Sequence, residues 1–276
     1  MQYRAHVEDI IRTGSYVPDR TGTGCFKKHA LSFHFSPEDP FPIILDKYVA
    51  HEAAKCEGLW IYQDMSNDVN LLREKYGVNV WNEWADERGT IGKAYGYQVK
   101  KHDQINRLIA GLKGDPYSRR HRIQLWSEED AAEMMLEPCA FLTMWDYEPL
   151  GHKLNLTLIQ RSGDMGLGVP FNMTQYAILH KMIAQCVGMN IGEFHYFINN
   201  AHVYVNHVNA LREQLSRNPV VYTQEAREGC FGTTQVLREG TLKLTPGITD
   251  FYAFTPEDIK LEGYVSHPKI KMEVSV

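Results

Sequence analysis

Between Cys139 and Gln160 the chain carries two strand-forming runs separated by one cluster of turn residues, and this pair limits the possible folds more than any other segment. Ala140 to Tyr147 is rich in aromatic and β-forming residues. Leu154, Leu156 and Leu158 alternate with Asn155 and Thr157 before Ile159. Glu148-Pro149-Leu150-Gly151-His152 joins the two runs. A period of two turns one face of each run toward a core, and Pro and Gly supply turn backbone. The spacing therefore predicts a long antiparallel hairpin whose ends matter.

Phe171, Tyr176, Leu179, Ile183 and Val187 then recur at helical spacing with Gly188 as a stop, which predicts a well-buried helix over 171–187. The same reasoning predicts helices over 3–13, 50–65, 104–113, 128–136 and 206–217, and strands over 28–36, 194–205 and 269–276. Helices and strands do not alternate regularly, and no GxGxxG opens a helix after a strand. The expected class is α+β, a large mixed β-sheet with packed helices. With 276 residues, 43% of them hydrophobic, and no repeat or linker, residues 1–276 are expected to form a single domain.

The function classes narrow on charge and cysteine usage. A formal charge of -5 disfavours a protein built to coat nucleic acid, so an anionic partner is expected to be small. Cys25, Cys56, Cys139, Cys186 and Cys230 form no CxxC pair and no finger-like Cys/His spacing, so reduced thiols and no metal site are expected. The chain has no long apolar stretch, and the residues after Met1 do not resemble a signal peptide, so a cytoplasmic protein away from membranes is expected.

Several segments carry chemistry, each with a plainer alternative. Arg20-Thr21-Gly22-Thr23-Gly24 joins a guanidinium to backbone that can approach an anion, but taken alone it also reads as an ordinary turn. Ser118-Arg119-Arg120-His121 offers paired guanidinium groups for phosphate oxygens, or simply a solvated basic face. Cys139, after Pro138, is either a small core hydrophobe or a nucleophile that needs a cation nearby. The stretch Gln160 to Asn172 crowds donors, an acid and an amide around three glycines just before the buried helix, which packing alone rarely requires.

That stretch also resembles the nucleotide-binding segment of the thymidylate synthase family, with the pattern Arg-Ser-x-Asp-x-x-Leu-Gly-x-Pro-Phe-Asn. The resemblance continues through Asp19 to Gly24, Glu57-Gly58-Leu59-Trp60, Trp81-Asn82-Glu83-Trp84, Tyr95-Gly96, Ser118-Arg119-Arg120, Pro138-Cys139 and His202-Val203-Tyr204, in the same order. It implies transfer of a one-carbon unit from 5,10-methylenetetrahydrofolate to C5 of dUMP, giving dTMP and dihydrofolate. Cys139 matches the nucleophile that adds to C6 of the base, and Arg161 the arginine that touches both phosphate and cysteine. Glu57 matches a glutamate that relays protons through water, and Tyr95 a tyrosine that assists removal of the C5 proton.

For the nucleotide, the resemblance implies phosphate contacts from Arg20, Arg161 and Ser162, with Arg119 and Arg120 reaching across a homodimer interface. Gln160 is placed in the nucleotide site with them. Asn172 matches the asparagine that pairs with N3–H and O4 of uracil, although Asn is also a common helix N-cap. His202 and Tyr204, two apart on a predicted strand, match the pair on the sugar 3'-hydroxyl. Asp164 matches the acid that bonds the pterin, so it touches the nucleotide side and the folate side. Trp81, Leu136, Leu167, Gly168 and Phe171 would wall the folate, Lys47 would meet its tail, and Met272 to Val276 would close as a lid, with Val276 at its end.

The chain also departs from the family pattern. Ala140 follows the cysteine where a histidine is common, Leu45-Asp46 precedes Lys47 in place of two threonines, and Asn200 stands where an acid or glycine is frequent. Gly58 replaces a bulkier residue beside Glu57. A roomier, wetter pocket would let water rather than hydride complete the reaction, so a hydroxymethylase acting on dUMP or another pyrimidine nucleotide is the alternative. A non-catalytic nucleotide-binding protein is the alternative from another class, and it has no use for Cys139, Glu57 and Tyr95 together.

Overall fold

The structure is a computed structural model that describes residues 2–19, 22–217 and 237–274. Its centre is a six-stranded sheet in the order β1 (Ser15–Val17), β2 (Cys25–Phe35), β6 (Asn190–Tyr204), β5 (Lys153–Asp164), β4 (Ala140–Glu148) and β3 (Arg122–Gln124). Neighbours are antiparallel except β5 and β6, which run parallel. The predicted hairpin is β4 and β5, paired from Glu148 and Lys153 back to Ala140 and Gln160. A parallel neighbour needs a crossover, and α6 (Gly168–Val187) provides it.

Helix α6 is buried on nearly every side, as its apolar sequence requires, and ends at Gly188, whose φ of 73° lets its N–H return to the Ala184 and Gln185 carbonyls. Against it pack α2 (His51–Tyr62) and α5 (Gln104–Gly114); α3 (Val69–Tyr76) and α4 (Gly96–Lys101) pack on α2, and α1 (Gln2–Thr13) lies on β2 and β6 beside α7 (Val208–Ser216). One hydrophobic cluster runs from Tyr3 to Ile259 and joins these helices to one face of the sheet. A two-stranded sheet of β7 (Thr241–Leu244) and β8 (Ile259–Glu262) flanks it.

Three expectations are corrected. Only a single 3-10 turn, Ala131–Glu133, forms within 128–136. Its backbone bridges to residues 91–93 instead, with Lys93 N–H donating to Glu133 and Met135 N–H to Ile91, and Asp130 is engaged by Gln98 and Lys101. Residues 269–274 are not a strand, because the tail is held by a side chain rather than a ladder, while 275 and 276 lie outside the described residues. The crossover helix starts at Gly168 with Leu167 as its N-cap, so Asn172 sits in its second turn and caps nothing.

Candidate active site

The open end of the hairpin places Cys139 opposite Arg161, whose N–H donates to the Cys139 carbonyl at 2.8 Å. The ladder shifts register between Ala140 and Leu142, so the cysteine leaves the sheet where regular pairing stops. The Arg161 guanidinium bridges the Pro138 carbonyl at 3.1 Å and the Glu137 carbonyl at 2.7 Å, and lies 6.0 Å from the Trp126 ring. A cation therefore braces the turn that carries a half-buried thiol.

Tyr95 stands on the other side of that thiol, and its hydroxyl accepts the Cys139 N–H at 3.4 Å. The residue has φ 47° and ψ -107°, a costly backbone for tyrosine, which aims the ring inward ahead of α4. Burial, then the nearby Cys139, Tyr176 and Glu57, push its phenol well above the ordinary value. Glu57, buried in α2, accepts the Trp81 indole N–H on one carboxylate oxygen and the Gln175 amide on the other. Burial drives its pKa up to about 7 against those two hydrogen bonds. The acid is thus poised to hold or release a proton near neutrality. Trp81 packs edge-on to Tyr95 at 4.9 Å between ring centroids. At Gly58 a built Cβ would sit 3.5 Å from Gln175 Cγ, an ordinary contact, so the backbone leaves room there for a side chain that glycine does not supply.

One strand away, Gln160 is fully buried and organises Asn172. Its Oε1 accepts from Asn172 Nδ2 at 3.1 Å and from the Tyr196 hydroxyl at 2.5 Å, while its Nε2 donates to the Ser162 carbonyl at 2.7 Å. The Asn172 amide carries a donor and an acceptor side by side, with the donor nitrogen directed to Gln160. Gly163 permits α6 to approach the sheet: a Cβ there would fall 2.9 Å from both Ile198 and Val169 methyl carbons.

The end of β5 then turns into a loop ahead of α6. Asp164 accepts the Gly166 N–H at 2.8 Å and the Leu167 N–H at 3.1 Å, fixing the segment that includes Leu167, Gly168 and Phe171. Burial opposes its ionisation, but His207, His202 and the Gly166 N–H outweigh that and hold its carboxyl below the ordinary value. The parallel register sets Asp164 against His202, and the His202 and Tyr204 rings meet edge to face at 4.9 Å. Lys47 is buried with its ammonium on the Gly166 carbonyl, so it braces this loop from beneath. Burial lowers its pKa to about 8, against Asp164 and Asp46.

Some expected residues stay apart. Arg119 and Arg120 are exposed in the turn after α5, where Arg120 lines a separate basic hollow with Arg107 and Arg122. Leu136 is half-buried against the core. Arg20, Val276 and Cys230 lie outside the described residues. A cavity of about 370 Å³ lies beneath residues 39–44 against Phe33 and Met173 and includes none of these groups. No described helix is long and apolar enough to cross a membrane.

Sequence reasoning missed Gln175, Tyr196 and Trp126 as supports. Gln175 and Tyr196 had a readable signal, since each is a hydrogen-bonding group on a face otherwise given to apolar residues.

The thymidylate synthase family model matches residues 1–276. Thymidylate synthase of Clostridium beijerinckii is 45% identical over 275 residues, spanning 100% of this chain and 98% of its own. That of Bacillus subtilis subsp. natto is 37% identical over 294 residues with the same coverages. The solved thermostable thymidylate synthase A from Bacillus subtilis superposes with a TM-score of 0.85 at 35% identity, over 100% of this chain and 98% of that one.

Proposed function

The chain belongs to the thymidylate synthase family, and from that premise we propose how its residues methylate dUMP at C5 with 5,10-methylenetetrahydrofolate. C5 of uracil is a poor nucleophile until a group adds to C6. The Cys139 thiolate forms the bond to C6, the electron pair moves to C5, and C5 captures the folate methylene. Loss of the C5 proton, assisted by Tyr95, releases tetrahydrofolate from the bridged adduct. Hydride from that folate then completes the methyl group as Cys139 leaves, giving dTMP and dihydrofolate.

Arg161 favours the thiolate and meets the phosphate together with Ser162 and Arg20. Asn172, oriented by Gln160, reads N3–H and O4, and His202 with Tyr204 hold the sugar. Glu57 exchanges protons with the base side through water. Asp164 bonds the pterin, which rests among Trp81, Leu136, Leu167, Gly168 and Phe171. Residues 1–276 act as one unit in a homodimer. The second phosphate grip, Arg119 and Arg120, then comes from the partner chain, which agrees with their exposure here. Lys47 serves by fixing the Gly166 carbonyl rather than by meeting a folate tail.

The observation that carries this reading is the contact of Tyr95 with Cys139 in front of an acid poised near pH 7, a trio that only chemistry at the base requires. The test is incubation with dUMP and methylenetetrahydrofolate, following dihydrofolate by absorbance and the nucleotide by mass. dTMP with dihydrofolate supports it. Hydroxymethyl-dUMP with tetrahydrofolate would place the enzyme on the water branch, and dUMP binding without product would overturn catalysis.

A further inference from the structure

His207 is 1% exposed, yet it is a titratable ring that none of the steps above uses. It closes the 3-10 turn Val205–His207, directly after the strand that carries His202 and Tyr204. Its Nε2 donates to the Glu273 carbonyl at 2.7 Å, the tie that holds the C-terminal tail against the molecule. Its Nδ1 faces Asp164 Oδ1 at 3.5 Å, an ion-pair distance looser than a normal hydrogen bond. Between these partners lies Gly166, where a Cβ would fall 2.6 Å from His207 Nδ1 and 3.1 Å from both Asp164 Oδ1 and Met272 Sδ. Imidazole, carboxylate, loop and tail are therefore in one packed contact.

We propose that His207 is a positioning residue for the reduced folate, orienting the Asp164 carboxylate through Nδ1 while fastening the tail at Glu273 through Nε2. The proposal rests on Asp164 as the pterin acid. The ion-pair contact to Asp164 and the hydrogen bond to Glu273 draw on one rigid ring, so turning the carboxylate away from its pterin-binding direction also loosens the tail, and a bound pterin that fixes the carboxylate tightens it. The surrounding charge agrees: burial opposes protonation of His207, but Asp164 and the Glu273 carbonyl outweigh it, and Lys47 only partly offsets them. A ring carrying both N–H groups can donate in both directions at once. The Tyr204 ring meets it edge-on at 5.5 Å and limits its rotation.

The experiment compares the wild type with His207→Ala, His207→Gln and Asp164→Ala. Each protein is assayed for the KM of methylenetetrahydrofolate, for dUMP affinity by calorimetry, and for hydrogen exchange of the peptide ending at Val276 with dUMP and folic acid bound. His207→Ala is expected to raise the folate KM about tenfold through loss of the buried ion-pair contact with Asp164, with dUMP affinity unchanged and faster tail exchange. His207→Gln, which keeps a donor toward Glu273, is expected to restore slow tail exchange but not the folate KM. Should His207→Ala fail to fold, that split in the glutamine variant decides alone. An unchanged folate KM in both His207 variants, with Asp164→Ala impaired, overturns the role of His207. An unchanged folate KM in Asp164→Ala overturns the pterin reading itself, and a loss of dUMP affinity equal to that of folate would mark a merely structural residue.

Discussion

Glu57 receives the indole N–H of Trp81 while buried, so a neutral donor rather than a cation faces the buried acid. Its carboxyl, raised to about 7 from an ordinary 4.5, binds a proton in the folded state where the unfolded chain has lost it. Stability is unaffected by this group below about pH 4.5, falls as pH rises toward 7, and carries the full penalty above 7. Glu57→Gln should therefore be more stable than wild type at pH 8 by about 3 kcal/mol and nearly equal at pH 4. It should also lose about 10²- to 10⁴-fold in kcat, as removal of a general acid–base does. Urea unfolding at the two pH values checks this, and an equal difference at both would count against the assignment.

Arg161 spans two carbonyls, Glu137 and Pro138, with separate nitrogens. Lysine offers a point charge and no fork, so Arg161→Lys should keep a cation near Cys139 yet lose the brace. Alkylation of Cys139 followed against pH should show its midpoint moving upward in Arg161→Ala and recovering only partly in Arg161→Lys. Full recovery would mean that charge alone is what matters.

Asn172 is oriented by the Oε1 of Gln160, which Tyr196 also engages. Asn172→Asp would set a carboxylate oxygen against that acceptor and remove the donor for O4. Activity on dUMP should fall by about 10²-fold or more, since a site left with an unpaired buried group rejects its ligand strongly. dCMP, with an acceptor at N3 and an amine at C4, should gain in relative terms. Steady-state kcat/KM on both nucleotides is the measure, and a parallel loss on both would argue against base reading by this side chain.

Arg120 and Cys139 supply a direct test of the shared site. Arg120→Ala and Cys139→Ser are each expected to be nearly inactive. After mild unfolding and mixed refolding, heterodimers should recover activity, because one of their two sites then holds a wild-type Cys139 and a wild-type Arg120 from different chains. No recovery, with dimers seen by sedimentation, would place both residues on the same chain's site.

The hairpin of β4 and β5 and the buried helix α6 were legible because alternation of Leu154, Leu156 and Leu158 and the spacing of Tyr176, Leu179 and Ile183 are driven by burial itself. Helix α3 was not, since its eight residues give too short a period, although Asp68 caps it and Gly77 ends it. The segment 128–136 was misread because long-range backbone partners at 91–93 won over local propensity. In the site, Asn172 and Asp164 were visible through a motif. Gln160 was placed in the site with them, but its hold on Asn172, like that of Gln175 on Glu57 across two helices, depends on neighbours that only folding supplies.

The single parallel pairing of the sheet has a consequence for biosynthesis. Because β5 and β6 point the same way, Asp164 and His202 meet only after the chain between them has crossed over as α6. A nascent chain whose last ordered residue precedes Asn190 already holds Cys139, Arg161 and Asn172 but has no second wall beside them. His202, Tyr204 and His207 emerge from the ribosome only after Cys139, Arg161 and Asn172, and such long-range pairing is slow to close. A truncated translation product should thus carry the reactive thiol without the pocket that directs it.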